Sequence, residues 1–410
     1  MTSGLVDYHE LGLRHAPPLS ARRLPPELPD LLSHLVTQAA HVPEQPFVGI
    51  TTDGAVRTGL FPLEPTHVST RPLVDAGLTF LAALDDEQRR AVTFPVDADE
   101  WRQWCNVHIY LFRHGLLLED LTAPQRHAAL ELVRASFSAR GFDTVRDVMR
   151  FNEVLADISG SPDEYGEWAF WLTIFGTPSD DGPWGWQLDG HHLNLHCFVL
   201  GDQLVLTPAF FGAEPCHVTS GPYTGMRIFA DEERTGLAMV RSLSTDQART
   251  AILYPSIMSA DIPPERRVPI DGQMMAGAFQ DNRRMAYEGL RADAMTDAQR
   301  TLLRRLIDTY VGHVRDGHAA VRMDEVAGHF DETHFCWMGG TDDVSPFYYK
   351  VQSPVILIEF DHEPGVVFAN DEPTRHHVHA IVRTPNGNDY GIDLLRQHYE
   401  QAGHHAKSRR

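Results

Sequence analysis

The chain has 410 residues, of which 42% are hydrophobic, and a formal net charge of −21 at pH 7. This length allows two or three ordinary domains or one large duplicated domain. The negative charge argues against nucleic acid or an anionic membrane as a partner, because both attract basic surfaces. No apolar run approaches the roughly 18–20 residues that span a bilayer. With no signal-peptide pattern at the N-terminus and four scattered cysteines, the sequence predicts a cytoplasmic protein with reduced thiols.

The first 74 residues are predicted to form a proline-rich arm and a hairpin. The arm contains one segment that is predicted to be helical, LPDLLSHLVTQAA. The hairpin is predicted from PFVGITTDGAVRTGLFPL, at residues 46–63, where apolar residues flank Asp53 and Gly54. An Asp-Gly pair tolerates the positive φ angles of a tight turn between two strands. From about residue 75 onwards, apolar residues at steps of three and four predict helices.

Two helical segments recur along the chain in the same order. GLTFLAALDDEQRRAVTFP begins at residue 77 and resembles GLAMVRSLSTDQARTAILYP, which begins at residue 236. GLLLEDLTAPQR and GLRADAMTDAQR form a second pair, in which Thr122 and Thr296 occupy the same position. The T-x-x-Q motif predicts a helix start, because the Thr and Gln side chains satisfy free backbone groups there. Any helix can carry this motif, but two pairs in one order favour a duplication.

The β-rich segments recur as well. Residues 175–198 resemble 338–360, and QLVLTP at 203–208 resembles AIVRTP at 380–385. We therefore predict an α+β fold that arose by a degenerate tandem duplication. Each half would hold helices followed by an antiparallel β-meander, and the two halves would pack pseudo-symmetrically. The predicted boundaries are an arm and hairpin at 1–74, a first repeat at 75–212, a connector at 213–235, a second repeat at 236–395 and a polar tail at 396–410.

One predicted strand, GWQLDGHHLNLHCF at residues 185–198, carries three histidines. Under the duplication, the second copy of this strand shows what the fold alone requires. Leucines of the first copy align with isoleucines of the second, whereas the histidines have no histidine counterparts. His191, His192 and His196 align with Pro354, Val355 and Glu359. The strand therefore does not require the imidazoles, and we interpret them as functional.

A second histidine cluster lies in RHHVHAIVRTP, towards the C-terminus. The period of two of a strand places His377, His379 and Arg383 on one face. Two imidazoles at this spacing can bind one ion. The repeat alignment puts Asp202 at the position of His379 and Leu206 at that of Arg383. These polar side chains are therefore also found where the two copies differ.

Four imidazoles and one carboxylate suit a borderline divalent ion, Zn²⁺ or alternatively Fe²⁺, Cu²⁺ or Mn²⁺. The predicted metal ligands come from both repeats. They are His191 or His192, together with His377 and His379, and His196 is an additional candidate. Two alternatives stay open at this point: structural histidines held by hydrogen bonds, and acid–base chemistry without a metal.

Other predicted site residues surround this ion. Glu359 ends an apolar strand and needs a partner if it is buried, so we expect it to be a fourth ligand or the general base. Arg383 is expected to bind a substrate carboxylate or to stabilise a developing oxyanion. Aromatic residues would form the wall of the pocket, although they can equally belong to the core; they are Trp184, Trp186, Tyr348 and Tyr349.

Five segments follow one another in the order EYGEWAFWLTIFG, PWGWQLDGHHLNLH, TPAFFGAEP, SPFYYKVQSPVILIEFD and HHVHAIVRTPNGNDYG. In this order they resemble a widespread family of bacterial and fungal proteins catalogued only as a domain of unknown function. The resemblance covers about residues 75–395. Its most specific elements are Gly190-His191-His192 and the pattern His377-x-His379-x-x-x-Arg383. The family has no assigned reaction, so the resemblance implies no catalytic role for any residue.

The sequence thus predicts a metal-dependent enzyme with one histidine-rich site between the two repeats. A zinc ion would activate water for the hydrolysis of an ester, amide or lactone of a small anionic substrate. Iron or copper with open positions would instead support an O₂-using oxidoreductase. A non-catalytic module that binds a metal or a small ligand is a further alternative. We favour hydrolysis because the sequence shows no cofactor-binding motif.

Overall fold

The structure, a computed structural model, describes residues 8–14, 30–42, 44–268 and 270–401. Its first α-helix, α1 (Asp30–His41), lies in the segment of the N-terminal arm for which the sequence predicts a helix. Part of the predicted arm and most of the predicted tail lie outside the described residues, namely 1–7, 15–29 and 402–410.

Residues 46–63 do not form the predicted hairpin. A turn is present, since the Asp53 side chain accepts a hydrogen bond from the Ala55 N–H and Gly54 has a φ of +99°. However, the backbone pairs with a distant segment. The Thr51 N–H donates to the Arg283 carbonyl oxygen, and the Thr51 carbonyl oxygen accepts from the Met285 N–H. The prediction was wrong because the turn residues specify a local change of direction and not the partner of the flanking backbone.

Along the chain, two sets of helices are each interrupted by two short strands and followed by a longer run of strands. The first set is α2 (Arg71–Ala82), α3 (Asp86–Val92), α4 (Ala123–Ser136) and α5 (Ala139–Ser159). The second set is α6 (Ala230–Arg241), α7 (Thr245–Ala251), α8 (Asp297–Val311) and α9 (His318–Gly328). A last helix, α10 (Ile392–Gln401), follows the final strand. None of the helices in the described ranges has the length and apolar character needed to cross a bilayer.

The predicted helix starts at Thr122 and Thr296 are confirmed. Each threonine caps its helix, and a glutamine three residues later, Gln125 or Gln299, completes a capping box. The glutamine Nε2 groups also donate to backbone carbonyl oxygens just beyond α2 and α6, those of Ala83 and Ser242. Each capping box therefore also fixes one helix against the end of another.

The strands fall into two groups along the chain. The first group is β1 (Thr93–Phe94), β2 (Leu116–Leu117), β3 (Phe170–Gly176), β4 (Trp184–Gly190), β5 (Leu193–Leu200), β6 (Gln203–Val205) and β7 (Ala209–Ala213). The second group is β8 (Ile252–Tyr254), β9 (Leu290–Arg291), β10 (His334–Gly339), β11 (Phe347–Gln352), β12 (Leu357–His362) and β13 (Val378–Arg383).

These strands form one mixed sheet, which continues from the first group into the second. Its main order is β1-β3-β4-β5-β7-β13-β12-β11-β10-β8, while β2, β6 and β9 pair with β3, β5 and β10. Strands β3 to β5 form one antiparallel meander and β10 to β12 form another. The two groups join where β7 runs antiparallel to β13, with Ala209 opposite Val382.

The centre of the sheet has a buried polar patch on one face. His379 of β13 lies between Gly212 of β7 and Asp361 of β12. Residues 271–281 cover this face, and two of their backbone N–H groups, those of Gln273 and Ala276, donate to the carboxylates of Asp361 and Glu359. Buried polar groups cost stability unless they are satisfied. The stability of the fold therefore does not explain why this part of the sheet is polar.

Candidate metal centre

The first histidine cluster lies at a hairpin turn and not within a single strand. Strand β4 ends at Gly190 and β5 begins at Leu193, and these two residues pair with each other. His191 and His192 are therefore the connection between two strands. His192 has a φ of +62°, and its N–H donates to the Asn106 carbonyl oxygen. The strand alternation predicted for residues 185–198 fails here because the turn interrupts it.

The second cluster lies at the start of β13. His377 directly precedes this strand and His379 is within it. The opposing residue on β7 is Gly212, at which a Cβ atom would lie 2.9 Å from Cδ2 of His192 and 3.0 Å from Cδ2 of His379. Glycine is therefore needed at this position, because any side chain would displace one of the two imidazole rings.

His192, His377 and His379 converge, as predicted. Each offers one ligand atom, these atoms lie within 4.8 Å of one another, and all three residues are buried. The Nε2 atoms of His192 and His377 are 3.1 Å apart. Nitrogen ligands about 2.0–2.1 Å from a tetrahedral ion lie about 3.3 Å from each other. The spacing of these imidazoles is therefore close to that of a zinc site.

The tautomers of these histidines also suit metal binding. Nδ1 of His377 lies 2.7 Å from the Pro364 carbonyl oxygen, and a hydrogen bond donated there leaves the lone pair on Nε2. Burial lowers the pKa of His192 well below its usual value, and the neighbouring His377 and His379 lower it further. Burial and His377 act in the same way on the pKa of His379. Neutral imidazoles are the form that binds a metal.

His379 provides the test of whether an ion fits. Its side chain is 3% exposed, and neither ring nitrogen has a hydrogen-bond partner among the described residues. A buried polar group without a partner is destabilising. Nδ1 lies 3.3 Å from Oδ1 of Asp271 and 3.5 Å from Oε1 of Glu363. With carboxylates at Nδ1, Nε2 is left for an ion, which is the common arrangement of a metal-bound histidine.

Two of the predicted histidine ligands are not brought to this group. Nδ1 of His191 lies 2.8 Å from Oδ1 of Asn152, and its ring stacks on His192 with the centroids 3.8 Å apart. His191 therefore supports the ring of His192. His196 lies elsewhere in the core, where its Nδ1 is 2.8 Å from the Pro208 carbonyl oxygen. Of the alternatives His191 and His192, the structure places His192 in the cluster.

Glu359 does not reach the histidines either. It is fully buried and accepts hydrogen bonds from the Tyr348 hydroxyl at 2.6 Å and from the N–H groups of Met275 and Ala276. These donors satisfy the carboxylate without a metal. Tyr348 is therefore the partner of Glu359 and does not line the cavity. The hydroxyl of Tyr349 contacts the Glu232 carbonyl oxygen, and Trp184 and Trp186 are core residues.

Arg383 is enclosed in a buried ion-pair network. Its Nε lies 2.7 Å from Asp389, its Nη2 lies 2.7 Å from Asp281, and its Nη1 donates to the Ala276 carbonyl oxygen. Asp281 also binds Arg102 at 2.9 Å. The guanidinium is fully buried and does not line the cavity beside the histidines. This placement corrects the substrate-binding role expected for Arg383: the contacts are those of a structural residue.

Three carboxylates near the histidines were missed by the sequence analysis: Asp271, Asp361 and Glu363. A signal for two of them was present, because Glu359, Asp361 and Glu363 alternate along β12 and its extension and so share one face. Asp271 had no such signal, since it comes from an irregular segment and its Oδ1 is held by the side-chain N–H of Asn106. Burial raises the pKa of Asp271 to about 7.

A cavity of about 600 Å³ opens onto the histidines. Much of its wall is apolar, including Val107, Ile270, Pro264, Val366 and Pro373. Of the described residues that line it, only Arg267 is an arginine or lysine. Its side chain is exposed and has no ion pair or hydrogen bond with the described part of the chain. The three imidazoles thus form a metal-binding group with one side open to a space large enough for a small molecule.

Comparison with known proteins gives a family and no activity. A family model described as "Protein of unknown function (DUF3500)" matches residues 66–392. All three histidines of the cluster and the neighbouring carboxylates lie within this range. Neither the curated proteins nor the solved structures contain a match.

Proposed function

The chain belongs to the DUF3500 family, whose description names no activity, and we therefore propose a function from its own residues: a metal-dependent enzyme that hydrolyses an ester, amide or lactone of a small anionic molecule. The observation that carries this proposal is the convergence of three buried imidazoles, those of His192, His377 and His379, at a cavity. A metal site that only stabilises the fold is usually closed by four protein ligands. This group has three histidines and an open side, which favours a catalytic centre.

The ligand set favours hydrolysis. Three neutral imidazoles leave the full double charge of an ion such as Zn²⁺, and an ion bound in this way supplies an activated water near neutral pH. Asp271 would hold the His379 ring in position and make it a stronger ligand, because it lies 3.3 Å from Nδ1. The apolar cavity wall would exclude bulk water and strengthen charge interactions at the ion.

Arg267 takes over the substrate-binding role that the sequence analysis assigned to Arg383. It lines the cavity with an exposed guanidinium that has no hydrogen-bond or ion-pair partner among the described residues. A guanidinium binds a carboxylate or phosphate with two parallel hydrogen bonds. We infer a substrate with an apolar body, an anionic group that contacts Arg267 and a hydrolysable bond at the histidines.

The tandem duplication also remains a proposal, and pairing in the sheet supports it. β1 lies parallel to β3 as β8 lies parallel to β10. Leu188 pairs with Leu195 in the first meander, and the residues aligned with them, Val351 and Ile358, pair in the second. We propose repeats at 75–212 and 236–395 with a connector at 213–235, an N-terminal segment at 1–74 before them and the tail at 396–410 after them.

For residues 203–208 and 380–385, the strand pairing favours a different alignment of the proposed repeats. Phe210 pairs with Asn194 and Arg383 pairs with Leu357, and Asn194 and Leu357 are aligned residues. Under the proposed duplication, Phe210 would then be the counterpart of Arg383 in the sheet, in place of Leu206. In the same way, His379 pairs with Asp361, and Phe198, which is aligned with Asp361, pairs with Val205. The counterpart of His379 would then be Val205, and a valine at this position still indicates that the proposed repeat does not need the histidine.

The proposed function is tested by metal analysis combined with activity. We expect about one zinc ion per chain in the purified protein, and hydrolysis of an ester or lactone panel that stops on chelation and returns with zinc. His377→Ala should lose both the ion and the activity. His41→Ala, at an exposed histidine on α1, is the matched control and should keep both. Iron or copper together with O₂ consumption and no hydrolysis would contradict the proposal and favour an oxidoreductase.

A further inference from the structure

Three carboxylates are buried together behind His379. Asp361 and Asp271 are 0% exposed and Glu363 is 4% exposed. A Cβ atom on Gly272 would lie 2.7 Å from Oδ2 of Asp361 and 2.5 Å from Oε2 of Glu363. Gly272 has a φ of +49°, so its backbone reaches a position that a larger residue could not occupy. The segment thus packs its main chain directly against two carboxylates and holds them close together.

Within the described parts of the chain, these carboxylates have no arginine or lysine side chain to balance them. Neither Arg nor Lys from the described residues forms an ion pair with any of the three, and the sole ion-pair partner of Asp271 and Glu363 is His379. Each carboxylate also has one oxygen without a hydrogen-bond partner in the described structure: Oδ2 of Asp271, Oδ1 of Asp361 and Oε1 of Glu363. Buried carboxylates are normally paired with a cation or bound to a metal.

Uncharged polar groups around the cluster also indicate a ligand-binding site. Nδ1 of His379 faces Asp271 and Glu363 at 3.3 and 3.5 Å but makes no hydrogen bond. The side-chain carbonyl oxygens of Asn106 and Gln273 are buried as well and have no hydrogen-bond partner among the described residues. Asn106 is joined to this cluster, since its Nδ2 donates to Asp271. An amide oxygen is a metal ligand of the same class as a carboxylate.

We propose that Asp271, Asp361 and Glu363 form a second divalent-cation site behind His379, next to the histidine site, so that the protein holds two ions. This inference rests on the proposed function. The donor set is rich in carboxylate oxygens, which suit Mn²⁺ or Mg²⁺, whereas the three imidazoles suit Zn²⁺. Two neighbouring ions are a common arrangement in hydrolytic enzymes, where they bind both the attacking and the leaving oxygen.

The adjacent residue Glu359 provides a matched control. It lies on the same strand and the same face as Asp361, and it is equally buried, but its oxygens are satisfied by Tyr348 and two backbone N–H groups. Glu359→Gln therefore removes a buried negative charge without touching the proposed site. Asp361→Asn and Glu363→Gln remove the same charge within it.

The experiment starts from chelated full-length protein and adds Zn²⁺ and then Mn²⁺, with ions counted by elemental analysis after gel filtration. We expect two ions in the wild type and in Glu359→Gln. Asp361→Asn and Glu363→Gln should each keep the zinc and lose the second ion. His192→Ala should lose the zinc and retain the manganese. As a measurement that needs no variant, Mn²⁺ added to the zinc-loaded wild type should give the electron paramagnetic resonance signal of a bound ion.

The other outcomes separate the two hypotheses. A single ion that survives Glu363→Gln but not His192→Ala would overturn the second site and leave the histidine site intact. If no signal of bound Mn²⁺ formed, the second site would likewise be overturned and the histidine site left intact. Asp361 and Glu363 would then be stabilised by sharing a proton. A single ion that is lost in Glu363→Gln and also in His192→Ala would mean one site built from both carboxylates and histidines, and it would also overturn the inference. Two ions retained in Asp361→Asn and Glu363→Gln would place the second ion elsewhere in the protein.

Discussion

Gly212 of β7 lies directly opposite His379 of β13, and the absence of a side chain at Gly212 makes room for the His379 ring. A Cβ atom at this position would be 3.0 Å from Cδ2 of His379 and 2.9 Å from Cδ2 of His192. Two of the three proposed ligands therefore depend on a single glycine in a strand that contributes no ligand itself.

Gly212→Ala should lower zinc affinity at least tenfold, which corresponds to about 1.4 kcal/mol. The added methyl group pushes one imidazole away from the ion position, while the buried strand remains in place. Zinc affinity is measured by competition with a chromophoric chelator. Gly328→Ala is the control, since a Cβ atom there would meet nothing within 4 Å. Unchanged affinity in Gly212→Ala would show that the two rings are not held as described.

His191→Ala should weaken zinc binding by about ten- to a hundredfold without abolishing it, the usual effect of losing a residue that orients a ligand. The ring of His191 stacks on His192 and is itself held by Asn152. His192→Ala should abolish binding at the histidine site altogether. If the two substitutions had equal effects, or if His191→Ala had the larger one, His191 would have to be a ligand.

Arg383→Met should destabilise the fold and leave the zinc content unchanged. Removing the guanidinium leaves Asp281 and Asp389 buried with fewer partners, and breaking a buried ion pair in this way costs about 3–5 kcal/mol. Urea unfolding measures the free energy change. Arg396→Met, which removes an arginine from two surface ion pairs, should cost less than about 1 kcal/mol. A stable Arg383→Met protein with a raised KM would restore the substrate-binding role.

The stability contributed by His196 should decrease in acid. Burial lowers the pKa of this histidine to about 3 in the folded protein, whereas the unfolded chain has the usual value of about 6.5. Between these values only the unfolded state binds the proton, so the contribution is present above pH 6.5 and is lost as the pH falls towards 3.

His196→Gln removes this titration. In the wild type, this titration lowers the free energy of unfolding by about 1.4 kcal/mol per pH unit below 6.5. Between pH 7 and pH 5, the variant should therefore lose about 2 kcal/mol less stability than the wild type. Urea unfolding at the two pH values provides the comparison, and other titrating groups cancel between the two proteins. Parallel losses of stability would mean that His196 is protonated in the folded state at pH 5.

Arg267→Gln should raise KM for an anionic substrate about tenfold or more and leave KM for a neutral ester almost unchanged. The reason is that, among the cavity-lining residues that the structure describes, Arg267 alone is an arginine or lysine. The matched control is Arg249→Gln, on the surface of α7 and remote from the cavity, with a side chain that is 74% exposed. Equal effects on charged and neutral substrates would exclude recognition of an anion by Arg267.

Local features of the fold could be predicted from the sequence, and tertiary partners could not. The helix starts at Thr122 and Thr296 were predictable because a capping box involves only neighbouring residues. The hairpin at residues 46–63 was not, since its strands would have had to pair with each other and Thr51 instead pairs with residues near 284. A short sequence specifies a turn but does not determine which distant backbone will satisfy the flanking N–H groups.

In the candidate site too, local relationships were predictable and tertiary partners were not. His377 and His379 were predicted to lie together because they are two residues apart. His192 was assigned to the same site because residues 185–198 are unusually rich in histidine. Arg383 was assigned wrongly, because strand parity shows which face a side chain shares but not that Asp281 and Asp389 enclose it. Asp271 was missed because its proximity to His379 is set by the path of an irregular segment, for which the sequence has no periodic signal.

The junction between β7 and β13 has a consequence for how the protein could be divided. His192 belongs to the polypeptide before this junction, whereas His377 and His379 belong to the polypeptide after it. If the chain were cut within residues 219–225, a solvent-facing segment between the two groups of strands, each fragment would hold an incomplete set of ligands. Zinc should then promote reassembly of the two fragments, because the ion can be fully bound only when they are together. The bound metal would then link the two fragments non-covalently at the middle of the sheet.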